Sequence, residues 1–303
     1  MPSTREIRRR ISSAKNISQI TRAMEMVAAS RMKRAQQAVL AGRPYAQKMA
    51  EVIQNLAGRV QGAQEELHPL LRSRPIRNVD VIMVSADKGL AGALNTNIIR
   101  RTIRFITSEA NAEVRMIPVG RKGRDFLVRY GRPIIAEFIN LGDRPALSDI
   151  YPIARVATDE YVSGRADAVY LVYTDFVNTL IQRPTVYRLL PIDLSNTGEG
   201  NGAAGENSQG GGDGARAIEY IYEPSTQQVL AQLLPRYIEV LVYQALLEHV
   251  ASEQSARMVA MRNATENAKE MISDLTLAYN KLRQANITRE IIEVSGGAAA
   301  LTG

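Results

Sequence analysis

The chain has 303 residues, of which 45% are hydrophobic and 23% charged, with no cysteine and a formal net charge of +7. That length leaves room for one ordinary core plus some extended structure, and the missing cysteine excludes disulfides, thiolate catalysis and cysteine-ligated metal while suiting a reducing compartment. The two histidines, His68 and His249, lie too far apart in sequence to suggest a metal site and read as ordinary surface or seam residues.

Residues 3–41 contain neither glycine nor proline. Apolar residues at Ile7, Ile11, Ala14, Ile17, Ile20, Met24, Ala28, Met32, Ala35 and Val39 recur at about 3.6 residues, the period of a helix. Ser3 or Thr4 fits its N-cap. Residues 1–48 hold eleven Lys/Arg against two Asp/Glu, so the basicity of the chain belongs to this helix alone. Such a run fits either a solvated helix face or an acidic surface alongside it, whether protein, phospholipid or nucleic acid. An amphipathic, Arg-rich, acid-poor start also resembles an organellar presequence, but the periodicity continues past Val39 and the segment is read as structure. Gly42 and Pro44 predict a bend or break. Helical spacing resumes over residues 45–57, giving a first helical segment of 1–57, and the polar residues 58–75, punctuated by Pro69 and Pro75, read as a connector.

A different texture begins at Asn78. Residues 79–84 (VDVIMV) form a buried-strand run, followed by the turn SADKGLAGALN and a helix over 94–108. Strands at 114–119, 133–139, 168–173 and 185–190 alternate with helices at 121–130 and 149–163. This order predicts an open, largely parallel sheet, a small Rossmann-like α/β domain over 76–192. Residues 193–216 enclose NTGEGNGAAGENSQGGGDG, eight glycines in nineteen residues, and read as a flexible linker. Residues 217–225 alternate like an edge strand returning to the sheet.

The segment 226–303 is the longest helix. Pro235 predicts a kink near its start, and residues 236–295 then lack glycine and proline until Gly296-Gly297 closes the run. Steps of four and three from Leu247 reach Ala251, Gln254, Met258, Met261, Thr265, Ala268, Ile272, Leu275, Tyr279 and Leu282. Only Gln254 and Thr265 are not apolar. This 3.5-residue repeat keeps one seam facing a partner helix. Sixty helical residues span on the order of 90 Å, roughly twice the width of a domain of this mass, so the helix is expected to project. The N-terminal helix is the available partner. The predicted fold is therefore α/β, a long antiparallel coiled coil of the N- and C-terminal helices plus the small Rossmann-like domain. No run approaches the ~20 apolar residues of a membrane span, and no secretory apolar segment occurs, so a soluble or peripheral chain is expected.

Chemistry is sparse. The loop 85–95 sits where an α/β sheet holds a nucleotide, but it lacks both G-x-G-x-x-G and the phosphate-loop pattern and reads better as a tight turn. Gly120-Arg121-Lys122-Gly123 fits a loop on a nucleic-acid backbone or a helix N-cap turn equally. No Ser/His/Asp arrangement or isolated carboxylate pair stands out. Met24, Met26, Met32, Met258, Met261 and Met271 fit gap-filling in the seam, or a soft surface that slides past a partner. Three functions remain open on these grounds: a mechanical element, a nucleic-acid or membrane-surface protein using the basic helix, and a nucleotide-using enzyme.

Four blocks decide among them. EIRRRISSAKNISQITRAMEMVAASRMKRAQ, SADKGLAGALNTN, ASEQSARMVAMRNATENA and ITREIIEVSGGAAAL, in that order, resemble the gamma subunit of F-type ATP synthases from end to end. The resemblance implies a non-catalytic rotor without cofactor or bound nucleotide. Its two terminal helices turn inside a ring of alternating alpha and beta subunits, and its foot meets the epsilon subunit and the c-ring. Proton flow would turn it and drive ATP synthesis on beta, with one copy per assembly, held peripherally at the cytoplasmic face of a bacterial plasma membrane. The family's coupling contacts fall on Met24, Arg257, Arg283, Gln284, Thr288 and Glu290, and its apolar tip on residues 294–301. The basic first helix would meet acidic loops of beta. The dithiol of chloroplast relatives has no counterpart, and the glycine-rich linker is outside the family pattern.

Overall fold

The computed structural model describes residues 3–59, 68–192 and 225–302. The glycine-rich linker, the expected returning strand and most of the connector lie outside these residues. The chain divides into two compact units, Met1–Ala28 with Arg257–Gly303, and Ala29–Ala256. Both boundaries fall inside the two long helices, α1 (Thr4–Arg59) and α5 (Thr226–Thr302).

The unit of residues 29–256 holds a four-stranded sheet. Its strands are β1 (Asn78–Val84), β2 (Glu113–Val119), β3 (Ala168–Phe176) and β4 (Gln182–Leu190), in the order β2-β1-β3-β4. β1 pairs parallel with β2 and β3, while β4 returns antiparallel. The helices between them are α2 (Leu94–Arg104), closed by a π-helical turn at Phe105–Glu109, α3 (Arg121–Arg129) and α4 (Leu147–Val162).

β1 reads as an unbroken apolar run because both of its faces are covered. Val79, Val81 and Met83 face Ile98, Phe105 and Leu127. Ile82 and Val84 belong to the opposite cluster, with Ile53 and Leu56 of α1, Ile150, Ile153 and Tyr161 of α4, and Leu234 and Ile238 of α5. The polar exception, Asp80, is fully buried and held by Arg115 of β2, Nε to Oδ1 at 2.9 Å and Nη2 to Oδ2 at 3.0 Å. Arg115 also donates to Glu160, which Arg165 caps from the other side. A buried carboxylate is tolerable only when paired and hydrogen-bonded in this way.

The strand expected at 133–139 reduces to two isolated parallel bridges, Met116 with Ile134 and Val119 with Phe138. The cause is Pro118. Met116 exchanges bonds with Pro133 and Ile135 in ladder fashion, but at the next step Pro118 has no N–H to give, and Phe138 reaches its carbonyl out of step.

Neither long helix is interrupted at its glycines and prolines. α1 runs unbroken through Gly42 and Pro44, and α5 through Pro235 and on past Gly296. A mid-helix proline frees the carbonyl four residues back. Here those carbonyls belong to Leu40 and Ala231, both exposed residues of their helices.

In the unit of residues 1–28 and 257–303 the two helices pair antiparallel. Arg8 Nη2 donates to Tyr279 Oη at 2.5 Å, the Thr21 and Thr265 hydroxyls meet at 2.7 Å, and Arg262 Nε donates to Glu25 at 2.9 Å. On α5, Met258, Met261, Thr265 and Ala268 are buried and Ile272, Leu275, Tyr279 and Leu282 half-buried, the face the 3.5-residue repeat selects. On α1 the reading needs correction: Ile17 and Ile20 are 49% and 59% exposed. The seam steps instead through Ile7, Ile11, Ala14, Ser18, Thr21, Glu25 and Ala28. Both helices keep the coiled-coil period, and the small polar residues stand where apolar ones were expected because Thr21 has a hydroxyl partner.

Candidate functional site

The pairing stops before α5 does. Tyr279 already meets Arg8, and α1 begins at Thr4. From Arg283 to Gly296 every residue of α5 is exposed. The sequence changes at the same place. Continuing the seam past Leu282 by fours and threes gives Asn286, Arg289 and Glu293, all polar, so that face has lost its demand for a partner helix. Apolar residues move to another stripe, Ile287, Ile291 and Val294, which are 47%, 61% and 73% exposed. Spacings of four and three put them on one helix face with Gln284 and Thr288. The end of α5 thus carries apolar surface that no described part of the chain covers. Arg283 and Glu290 flank it.

The crevice at the carboxyl ends of the parallel strands, where open α/β sheets bind ligands, is occupied by the chain's own α5. Ser252 Oγ donates to the Thr174 carbonyl of β3 at 3.2 Å, and Ser255 Oγ to the Thr179 carbonyl at 2.7 Å. His249, Val250 and Glu253 lie over Ser85, Asp87 and Gly120, leaving a cavity of about 30 Å³. That is room for one water, against the several hundred Å³ of a nucleotide pocket. His249 is no surface residue. It is 1% exposed, and burial pulls its pKa down to about 4, so it stays neutral at physiological pH.

The Gly120–Gly123 turn is the helix N-cap of the two readings. Gly120 caps α3 at φ +100°, and the Gly123 amide donates to Ser85 Oγ at 2.8 Å. Among the described residues, no cluster of three His, Cys, Asp or Glu side chains could hold a metal, and no helix is long and apolar enough to cross a membrane.

The family profile described as ATP synthase matches residues 3–301. The ATP synthase gamma chain of Roseiflexus castenholzii is 53% identical over 304 residues, covering 99% of each chain. The chain belongs to the ATP synthase gamma-chain family. Among solved structures, a chain of the Tetrahymena thermophila mitochondrial ATP synthase central stalk and c-ring is 27% identical with a TM-score of 0.57, covering 81% of this chain and 99% of that one. A chain of the Euglena gracilis mitochondrial ATP synthase in rotational state 3 shares the fold at 20% identity, with a TM-score of 0.65 over 98% and 94% of the two chains.

For a gamma chain, the expected coupling residues fall in two places. Arg283, Gln284, Thr288 and Glu290 share the exposed end of α5, where the Thr288 hydroxyl is tied back to the Gln284 carbonyl at 3.0 Å. Met24 is half-buried and Arg257 is 8% exposed, about 40 Å back along the helix from Arg283. By the pairing of Glu25 with Arg262, Met24 and Arg257 are offset by about 9 Å along the helix pair. The gamma methionines divide: Met258 and Met261 are buried and Met24 and Met32 half-buried as packing, whereas Met26 and Met271 are 62% and 56% exposed.

A buried carboxyl pair, Glu248 of α5 and Asp175 of β3, escaped the sequence reading because its members stand 73 positions apart. Glu248 is fully buried and accepts from Gln244 Nε2 at 3.2 Å, with the Asp175 carboxyl as a charged neighbour. Burial, and then the Asp175 charge, push its pKa up to about 7, and burial raises that of Asp175 as well. A carboxyl raised in the folded state binds its proton more tightly there than in the unfolded chain. Its contribution is therefore complete below the unfolded value near 4.5 and is lost as pH rises through 7. Glu248→Gln keeps a neutral donor toward Asp175. Denaturant unfolding at pH 5 and pH 8 should show the parent losing on the order of 2–3 kcal/mol more than the variant between those pH values. Equal losses would contradict the raised pKa of Glu248.

Proposed function

We propose that the chain is the central-stalk rotor of a bacterial F-type ATP synthase, a non-catalytic subunit that couples transmembrane proton flow to ATP synthesis. The observation that carries this reading is the end of α5, where the seam turns polar, α1 no longer covers it and a second apolar stripe opens to solvent. That end has the make-up of a bearing held by other chains. Alpha and beta subunits surround the helices in this reading, with beta loops meeting Arg283, Gln284, Thr288 and Glu290 at one level and the helix pair around Met24 at the other, where Arg257, 8% exposed, supports the contact from within the chain. Ile17, Ile20 and Val27, exposed on α1, face the same ring. The epsilon subunit and the c-ring take the foot, which places the chain peripherally on the cytoplasmic face of the plasma membrane.

The filled crevice favours this reading over a nucleotide-using enzyme. The basic helix spends part of its charge inside the chain, through Arg8 on Tyr279, Arg10 on Glu6 and Arg31 on Asp143, and this weakens a nucleic-acid or lipid reading. Assembly is the test. Mixed with the alpha and beta chains of a related bacterial enzyme, the chain should enter the hexamer at a single copy. Exclusion from the hexamer, or entry at several copies, contradicts the rotor.

A further inference from the structure

Within the unit of residues 29–256 one carboxylate joins three parts of the fold. Asp143 stands in the loop between the Phe138 bridge and α4. Its Oδ2 accepts from Arg31 Nη1 of α1, and its Oδ1 accepts from Gln254 Nε2 of α5 at 3.2 Å. Gln254 is one of the two polar residues on the α5 seam and is 1% exposed. A buried polar group at a seam position costs stability and fixes register when a single partner satisfies it. That partner is not on α1, as Thr21 is for Thr265, but on the α/β loop.

The loop is built to present that carboxylate. Asn140 and Gly142 take positive φ of 62° and 77°, and Arg121 Nη2 of α3 holds the Asn140 side chain at 2.7 Å. Leu141 packs on the core cluster, and the Ala146 amide donates to Asp149 Oδ2 at 2.8 Å where α4 begins. A side chain supported on rigid elements at both ends holds its geometry under load. Ser252 and Ser255, on the same stretch of α5 as Gln254, are anchored to the carbonyls of Thr174 and Thr179 at the far end of the β3–β4 hairpin. α5 is thus fastened both by the 140–146 loop and by the hairpin, and through Asp143 α1 is fastened with it.

We infer that Asp143 is a torque-bearing latch, a positioning residue that fixes the angular and axial register of both helices against the α/β fold. This deepens the rotor reading and rests on it. An axle driven through its foot delivers torque only if the helices cannot slip in their seat, and an ion pair with a buried amide resists slip without adding bulk.

The test uses the complete membrane-bound complex carrying Asp143→Ala, and the charge swap Arg31→Asp/Asp143→Arg. In the swap the new guanidinium at position 143 should donate both to the new carboxylate and to Gln254 Oε1, an oxygen with no hydrogen-bond partner among the described residues of the parent. Asp143→Ala should lower protons pumped per ATP hydrolysed at least about threefold, with hydrolysis itself within about twofold of the parent, and the swap should restore most of the loss. Pumping per ATP equal to the parent in Asp143→Ala overturns the latch, as does a swap no better than Asp143→Ala alone. A second arm needs no rotor: in the isolated full chain, amide exchange over residues 250–256 should quicken roughly tenfold in Asp143→Ala and slow again in the swap. Unchanged exchange there overturns the latch, whereas a complex that pumps fully without this chain counts against the rotor reading alone.

Discussion

Ala28→Glu will separate the helix pair of residues 1–28 and 257–303 and sharply reduce coupled ATP synthesis. Ala28 is 1% exposed on the seam. By the pairing of Thr21 with Thr265 and Glu25 with Arg262 it faces the level of Met258, itself 7% exposed. A carboxylate buried there without a partner costs about 3 kcal/mol or more, whether it stays charged or takes up a proton. Far-ultraviolet circular dichroism of the full chain should show helix lost at lower temperature, while the sheet-bearing unit melts as before. In the assembled complex, synthesis should fall at least about tenfold. Ile17→Glu is the matched control. Ile17 looks as much like a seam residue in the sequence, yet it is 49% exposed, and its replacement should change stability by no more than about 0.5 kcal/mol. Equal damage from both substitutions would mean that the seam is misplaced.

Gly120→Ala will unfold the α/β unit. Its φ of +100° already disfavours any side chain, and a Cβ built there would stand 1.9 Å from the Ser85 carbonyl oxygen, a backbone atom that cannot step aside. Ser85 is itself pinned, its amide donating to the Val119 carbonyl at 2.7 Å and its hydroxyl accepting from Gly123. Strain plus clash should exceed about 4 kcal/mol, enough to consume much of a domain's stability, read as a collapse of the denaturant midpoint. Gly42→Ala supplies the contrast. Gly42 lies inside α1 with open space where a Cβ would go, so alanine should stabilise the chain by up to about 1 kcal/mol. Equal tolerance at the two sites would overturn this account of the turn.

The two substitutions also mark what the sequence could and could not reveal. The α5 seam was legible because a single partner face runs along it, so apolar spacing and structure coincide. The α1 seam was not, because Ser18 and Thr21 occupy positions that a count of apolar residues passes over in favour of Ile17 and Ile20. β1 was plain from VDVIMV, whereas the segment 133–139 failed as a strand through Pro118 on the neighbouring strand, a residue no local reading of 133–139 would consult. Gly42, Pro44 and Gly296 did not interrupt their helices, because helix length outweighed local propensity. The coupling residues came from resemblance rather than chemistry. A purely physical signal was nevertheless present, in the change of the seam to Asn286, Arg289 and Glu293 while Ile287, Ile291 and Val294 took up another face. Asp143 and the Glu248–Asp175 pair were out of reach, since each depends on residues brought together from distant parts of the chain.

Rotation is the most direct measurement of the central claim. The chain contains no cysteine, so one introduced at exposed Tyr130 gives a unique handle for a bead, with the alpha/beta hexamer fixed to glass. With ATP supplied, the bead should turn in one direction, with three equal dwells per turn, and Ala28→Glu should disrupt that motion. A hexamer that hydrolyses ATP at the full rate while the bead on the unmodified axle only fluctuates about one angle would contradict the account.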